Sequence, residues 1–140
     1  MRQEDFILRE IQKISELLLG LIGKLIRKKE ESIEETEAEI ETGLAENFEA
    51  LKDFFQLSAE EIIEIYKTTQ SLTADNLELL ANLLFEMGVL AQSKGDSGRV
   101  ETNLTKAIAI YEFIDAEGDT FSFMRNSKLN SAKEILEQNQ

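Results

Sequence analysis

The sequence has no proline anywhere in its 140 residues and contains only seven glycines. Proline and glycine are the two residues that most strongly disfavour the interior of a helix. Glutamate, leucine, isoleucine, lysine and alanine dominate the rest of the chain, and this mixture favours helices. The sequence therefore predicts an all-α fold, and its length is that of one domain with a single hydrophobic core.

The first predicted helix, from about Gln3 to Lys29, carries apolar residues at alternating spacings of four and three positions. This spacing is typical of a coiled-coil interface, here extending over fewer than three heptads. The residues of this seam are Ile7, Ile11, Ile14, Leu18, Leu21 and Leu25. We expect about six helices in total, in which this long amphipathic helix is followed by antiparallel helical hairpins.

A second apolar face appears in the latter half of the same helix, opposite the seam. Gly20 and Gly23 lie on this face, and glycine inside a helix is consistent with either close approach by a neighbouring backbone or a bend. We expect one face to pack on the body of the protein and the other on a twin helix, so the sequence predicts a homodimer. An unknown protein or peptide is the alternative partner. The predicted oligomer interface consists of Ile7, Ile11, Ile14, Leu18, Leu19, Leu21, Ile22, Gly23, Leu25 and Ile26.

A membrane surface is the second functional hypothesis for this helix. Its basic end, Lys24 to Lys29, adjoins the apolar segment LLLGLIG at residues 17–23. Cations beside an apolar face attract anionic lipid, although this segment is far shorter than the about 20 residues that span a bilayer. The alternative function is therefore that of a peripheral membrane-surface protein. No N-terminal signal pattern is recognised, so we expect a cytoplasmic location.

No linker rich in glycine, serine or proline divides the chain, so we expect one body from which the N-terminal helix extends. Residues 1–29 form the predicted oligomerisation helix, and residues 30–140 form the predicted helical body. An acidic helix begins this body, with a predicted break at Gly43. The main helical hairpin of the body is predicted at about residues 74–115.

Local signals also predict where several helices begin. Ser58 precedes a glutamate by three positions, which is the spacing of a capping box, and Thr73 is predicted to cap the following helix. The last helix is predicted from about Thr120 to Gln138. Phe121 and Met124 are expected on its apolar face.

The segment LFEMGVLAQSKGDSGRVETNLTKAIAIY, residues 84–111, resembles a tetratricopeptide (TPR) repeat. Leu84, Met87 and Gly88 match the large, leucine-like and small positions of its first helix, Leu104 takes the aromatic position, and Ala107 takes the second small one. The resemblance implies two antiparallel helices packed through small residues. A TPR repeat recurs at an offset of 34 residues, but the sequence contains no convincing second copy. The opening MRQEDFILREIQKI, together with this hairpin and the terminal helix, resembles an uncharacterised bacterial family of small helical proteins. That resemblance implies a fold and a bacterial source, and no functional residues.

Composition argues against most enzyme chemistries. The chain has no cysteine and no histidine, so it lacks thiolate ligands, the commonest metal ligand and the usual general base. The motif GDSG at residues 95–98 resembles the nucleophile turn of trypsin-like serine proteases, but Ser97 has no histidine to accept its proton. We interpret the motif as a helix-ending glycine followed by an N-cap residue. We expect no enzyme activity, no cofactor and no metal, and a net charge of −13 opposes nucleic-acid binding.

Two further residues are candidates for a peptide-binding groove. Tyr111 and Arg125 lie in the TPR-like half of the chain, and paired helices of that type expose a concave surface to peptides. The sequence therefore favours a non-enzymatic interaction or scaffold module that associates with itself through its N-terminal helix.

Overall fold

The computed structural model describes residues 3–27, 31–118 and 120–139. The described chain contains six α-helices, and two 3-10 turns, Glu49–Leu51 and Phe54–Gln56, join the second helix to the third. The predicted all-α fold with about six helices is confirmed. Lys28 and Lys29, the predicted end of the first helix, lie outside the described residues. The helices are α1 (Gln3–Arg27), α2 (Ile33–Asn47), α3 (Ala59–Thr68), α4 (Ala74–Ser93), α5 (Ser97–Glu117) and α6 (Phe123–Gln138).

Side-chain caps fix the beginnings of α3 and α4, as the sequence predicts. The Ser58 hydroxyl accepts a hydrogen bond from the Glu61 backbone N–H at 3.0 Å, and the Glu61 carboxylate accepts one from the Ser58 N–H at 2.9 Å. This reciprocal pair is a capping box. The Thr73 hydroxyl accepts from the Asn76 N–H at 3.2 Å. Each cap satisfies backbone donors that the first helical turn leaves unpaired.

The antiparallel hairpin of α4 and α5 forms the centre of the molecule. Gly95 forms the turn between them with a φ of +71°, a conformation that favours glycine. The two helices approach closely where Gly88 faces Leu104, because a Cβ atom at Gly88 would lie 2.6 Å from Leu104 Cγ. Leu84, Leu104 and Tyr111 have no exposed surface, so the core runs between these helices.

α1 and α2 form a second antiparallel pair that packs on this hairpin. Lys24, near the end of α1, lies 3.4 Å from Glu39 of α2. Further along α2, Gly43 packs against the side chains of Leu17 and Leu21. The described chain therefore brings α1 into the same core as the rest of the protein.

Polar contacts fix α1 and α6 on the central hairpin. The Ser15 hydroxyl donates to the Asn76 side-chain oxygen at 2.6 Å, and the Asn76 amide donates to the Ile11 carbonyl at 3.2 Å. At the far end of the molecule, the Asn139 amide donates to the Ser97 carbonyl at 3.1 Å. α6 therefore runs antiparallel to α5, and the middle of α1 contacts the first turn of α4.

The predicted break at Gly43 is wrong. α2 continues through this glycine to Asn47, because a single glycine costs a helix only about 0.8–1.0 kcal/mol relative to alanine. The chain leaves the helix at Phe48, whose backbone is extended.

The predicted start of α6 at Thr120 is also wrong. Ser122 caps the helix by accepting a hydrogen bond from the Arg125 N–H at 3.2 Å, so α6 begins at Phe123. Phe121 and Met124 consequently lie outside the core, with 72% and 69% of their surfaces exposed.

Candidate interaction surface

The predicted seam of α1 faces the protein's own core. Ile14, Leu18, Leu21 and Leu25 are buried, and Leu18 has no exposed surface. Ile7 and Ile11, nearer the start of the helix, are half-buried. Four of the predicted interface residues are therefore buried within the chain itself. They cannot contact a second chain while the protein stays folded.

The outer face of α1, which we define as Leu19, Gly20, Gly23 and Ile26, remains open. Leu19 is 58% exposed and Ile26 is 50% exposed, whereas Gly23 and the neighbouring Ile22 are half-buried. Positions 19, 23 and 26 are four and three residues apart and so lie on one side of the helix. Large apolar side chains are thus displayed along two turns, on a side of α1 that the body does not cover.

Packing within the chain gives no reason for the two glycines of this face. A Cβ atom at Gly20 would have no neighbour within 4 Å, and one at Gly23 would meet only the Arg27 side chain at 3.6 Å. α1 continues through both positions without interruption. Each glycine costs the helix about 0.8–1.0 kcal/mol relative to alanine. The open space beside them is available to the backbone of a neighbour.

Charged groups flank the outer face at both ends. Glu16 is exposed one turn before it. Arg27 lies at its end, where the Nε–H donates to the Gly23 carbonyl at 3.2 Å. Lys24, another member of the predicted basic cluster, pairs with Glu39. The face thus has an acidic N-terminal border and a basic C-terminal border.

Tyr111 and Arg125, the predicted groove residues, are both buried. Tyr111 has no exposed surface, its hydroxyl donates to the Asn82 side-chain oxygen at 2.6 Å, and burial raises the pKa of that hydroxyl. Arg125 is 6% exposed, and its guanidinium lies 2.7 Å from Glu78 and 2.6 Å from Asp115. In this structure neither side chain lines an exposed groove, because Tyr111 bonds across the α4–α5 hairpin and Arg125 joins α6 to that hairpin.

Arg125 also holds the segment that precedes α6. Its Nη2 group donates to the Thr120 carbonyl at 3.2 Å. Just beyond this contact, Phe121, Phe123 and Met124 form an apolar tip with exposures of 72%, 77% and 69%. Sequence reasoning missed this tip. Two features are consistent with the exposure of this tip. Ser122 is a good N-cap residue, which places the start of the helix after Phe121. The buried residues of α6 recur every three or four positions from Arg125, and Phe123 and Met124 do not belong to that buried stripe.

The GDSG motif forms a helix stop and a helix cap, as interpreted from the sequence. Asp96 accepts a hydrogen bond from the Arg99 N–H at 3.1 Å and pairs with the Arg99 guanidinium at 2.7 Å. These contacts lower the pKa of the Asp96 carboxyl. Arg99 also reaches Glu37 at 2.9 Å and Glu34 at 3.4 Å, so it joins the starts of α2 and α5. The motif and two glutamates of the acidic helix α2 therefore hold helices together.

Lys106 is another group with a shifted pKa, and it also has a structural contact. Its ammonium group donates to the Phe55 carbonyl at 2.8 Å, which ties α5 to the second 3-10 turn. Burial lowers the pKa of this lysine. Across the described ranges, no three carboxylates are grouped so that they could hold a metal ion.

Comparisons with known proteins return no similar protein. No family model matches the chain, TPR models and models of uncharacterised families included. No curated protein and no solved structure matches either. Among the described residues, none of the helices has the length and hydropathy required to cross a bilayer.

Proposed function

We propose that this protein is a non-enzymatic interaction module that associates with itself through the outer face of α1. Leu19 and Ile26 carry this proposal, since both are at least half exposed on a helix whose other side is already buried. Burial of apolar surface contributes about 25 cal/mol per Å². Gly20 and Gly23 support a second helix as the partner, because glycines allow close approach of a backbone.

The charges that border this face favour an antiparallel pair of α1 helices. In an antiparallel pair centred between residues 21 and 23, Glu16 of one copy lies near Arg27 of the other, and Leu19 lies near Ile26. The two pairings differ by about 3 Å along the helix axis, which long side chains can span. In a parallel pair each charged residue would instead meet its own equivalent, which is unfavourable.

Shifted pKa values also support a non-enzymatic role. The groups concerned are Asp96, Arg99, Lys106, Tyr111 and Arg125. Strongly shifted groups often mark active sites, but structural ion pairs produce such shifts as well. Each of these groups bonds to a residue in another helix or turn or caps its own helix.

The α4–α5 hairpin is, within this proposal, a TPR-like unit. The close packing of Gly88 against Leu104 supports it, since TPR helices cross through small residues of this kind. Membership of an uncharacterised bacterial family is proposed from the opening residues taken together with this hairpin and the terminal helix.

Sedimentation equilibrium of two matched double variants tests the assembly surface. Leu19→Glu with Ile26→Glu places two charges on the outer face of α1, and we expect at least a tenfold weaker dimer. Phe123→Glu with Met124→Glu makes the same change at the apolar tip and should leave the dimer intact. All four positions are exposed, so both variants should retain the helical circular dichroism of the parent. If the two variants dimerised with the same dissociation constant, the proposal would be contradicted.

Membrane-surface binding is the competing function, because Arg27 is exposed beside Ile26. Co-sedimentation with vesicles of phosphatidylserine and phosphatidylcholine separates the two functions. Self-association predicts that the protein stays in the supernatant. Sedimentation that is lost in Arg27→Gln and in high salt would replace the assembly proposal with the membrane one.

A further inference from the structure

A cleft of about 330 Å³ lies beside the N-terminal half of α1. It is bordered by that helix, by the end of α2 and by the loop that precedes α4. Its size falls within the range of small-molecule sites, which is roughly 300–1,000 Å³. None of its residues belongs to the outer face of α1. The cleft is lined by Phe6, Arg9, Glu10, Lys13, Ile14, Asn47, Phe48 and Ser71.

Three apolar side chains line the cleft. Ile14 is buried and Phe48 is half-buried, whereas Phe6 is 54% exposed. An aromatic ring that remains this exposed gains free energy when a second apolar group covers it. The cleft can therefore hold an apolar segment of a ligand against two aromatic rings.

Ser71 provides a polar group in the same cleft. The residue as a whole is 7% exposed, and its hydroxyl makes no hydrogen bond with any described residue. Every fully buried side-chain oxygen among the described residues has a hydrogen-bond partner, so the Ser71 hydroxyl is open to the cleft. A ligand oxygen inside the cleft can therefore accept a hydrogen bond from it.

Two cations lie one helical turn apart on the same wall. Arg9 and Lys13 are both exposed, and neither forms an ion pair with another described residue. Glu10 also lines the cleft, so its charged side chains sum to +1. This local excess of positive charge stands out in a chain whose net charge is −13, and it favours an anionic ligand.

We propose that this cleft binds a small amphipathic carboxylate. The carboxylate group contacts Arg9 and Lys13, and the Ser71 hydroxyl donates a further hydrogen bond to it. The apolar portion covers Phe6 and Phe48. Arginine and lysine form charge-assisted hydrogen bonds with carboxylates, and such bonds are stronger than neutral ones.

Titration of the full-length, isotope-labelled protein with sodium decanoate, followed by amide NMR, tests this site. We expect saturable shifts at Phe6, Phe48 and Ser71, with a dissociation constant below the concentration at which decanoate forms micelles. Decanol has the same chain without the charge and should bind at least tenfold more weakly. Failure of decanoate to produce saturable shifts in these residues would overturn the proposal.

Two charge-matched variants show whether the cations of the cleft recognise the carboxylate. Arg9→Gln with Lys13→Gln should weaken decanoate binding at least fivefold. Lys24→Gln with Arg27→Gln removes the same charge from the far end of α1 and should leave the binding unchanged. If both variants lost the same affinity for decanoate, the net charge of the protein would explain the loss. That result would contradict the contacts assigned to Arg9 and Lys13. The outcome is independent of self-association, since none of the cleft residues lies on the outer face of α1.

Discussion

Gly88 and Gly20 are both helical glycines, but their surroundings differ. A methyl group at Gly88 would overlap the Leu104 side chain, whereas one at Gly20 would meet nothing within 4 Å. We expect Gly88→Ala to lower the free energy of unfolding by about 1–3 kcal/mol through overpacking. Gly20→Ala should instead raise the stability of the monomer by about 0.8–1.0 kcal/mol through helix propensity. Urea denaturation of both variants measures these values, and the same sign for both would contradict the packing described.

Asp96 makes the stability of the fold sensitive to acid. Its carboxyl has a pKa below the ordinary value because of its bonds to Arg99. A carboxyl of this kind stabilises the folded state above the unfolded pKa of about 3.9, and the stabilisation is lost as the pH falls through the lower, folded pKa. Asp96→Asn retains a good cap but not the charge. We expect the melting temperature of the variant to lie below that of the parent at pH 7 and to approach it by pH 2 to 3. A difference in melting temperature that stays constant with pH would contradict a stabilising ion pair between Asp96 and Arg99.

Patterns within single helices were predictable from the sequence, because they depend on neighbours close in the chain. The seam spacing identified the inner stripe of α1, including Ile14 and Leu18, and the caps at Ser58 and Thr73 follow from local hydrogen bonding. Contacts between distant helices were not predictable in this way. Tyr111 and Arg125 were predicted to line a groove, but both are buried, and the side chains to which they bond lie at least ten positions away in sequence.

The orientation of the proposed α1 pair can be tested by cysteine crosslinking, since the native chain contains no cysteine. An antiparallel pair brings Leu19 of one copy near Ile26 of the other. Mixing Leu19→Cys protein with Ile26→Cys protein should therefore give a disulfide-linked dimer under mild oxidation. Each variant alone should crosslink much less. Stronger crosslinking within the single variants would indicate a parallel pair.

At the scale of the whole molecule, α1 is part of the core as well as the proposed assembly element. It contributes the buried side chains of Ile14, Leu18, Leu21 and Leu25. Each such side chain stabilises the fold by about 1.5–3 kcal/mol, and a domain has only about 5–15 kcal/mol in total. We expect a chain that lacks residues 1–29 to lose its cooperative thermal transition. A folded, cooperative monomer after this truncation would show that the core does not need α1.

Substitutions on the two sides of α1 should separate folding from assembly. Leu18→Asp buries an unpaired charge in the core and should unfold the protein. A charge at the exposed Leu19 should preserve the fold and weaken association only. Circular dichroism of both variants distinguishes these effects, and equal loss of helical signal would contradict the assignment of the two faces.

The most direct test of self-association through the outer face of α1 is the molar mass of the unmodified chain, measured by light scattering coupled to size exclusion over a range of concentrations. One chain has a mass of 15.9 kDa. The proposed assembly predicts about twice this mass at high concentration, and a return to the mass of one chain in Leu19→Glu with Ile26→Glu. A single-chain mass for the unmodified protein at every concentration would contradict it.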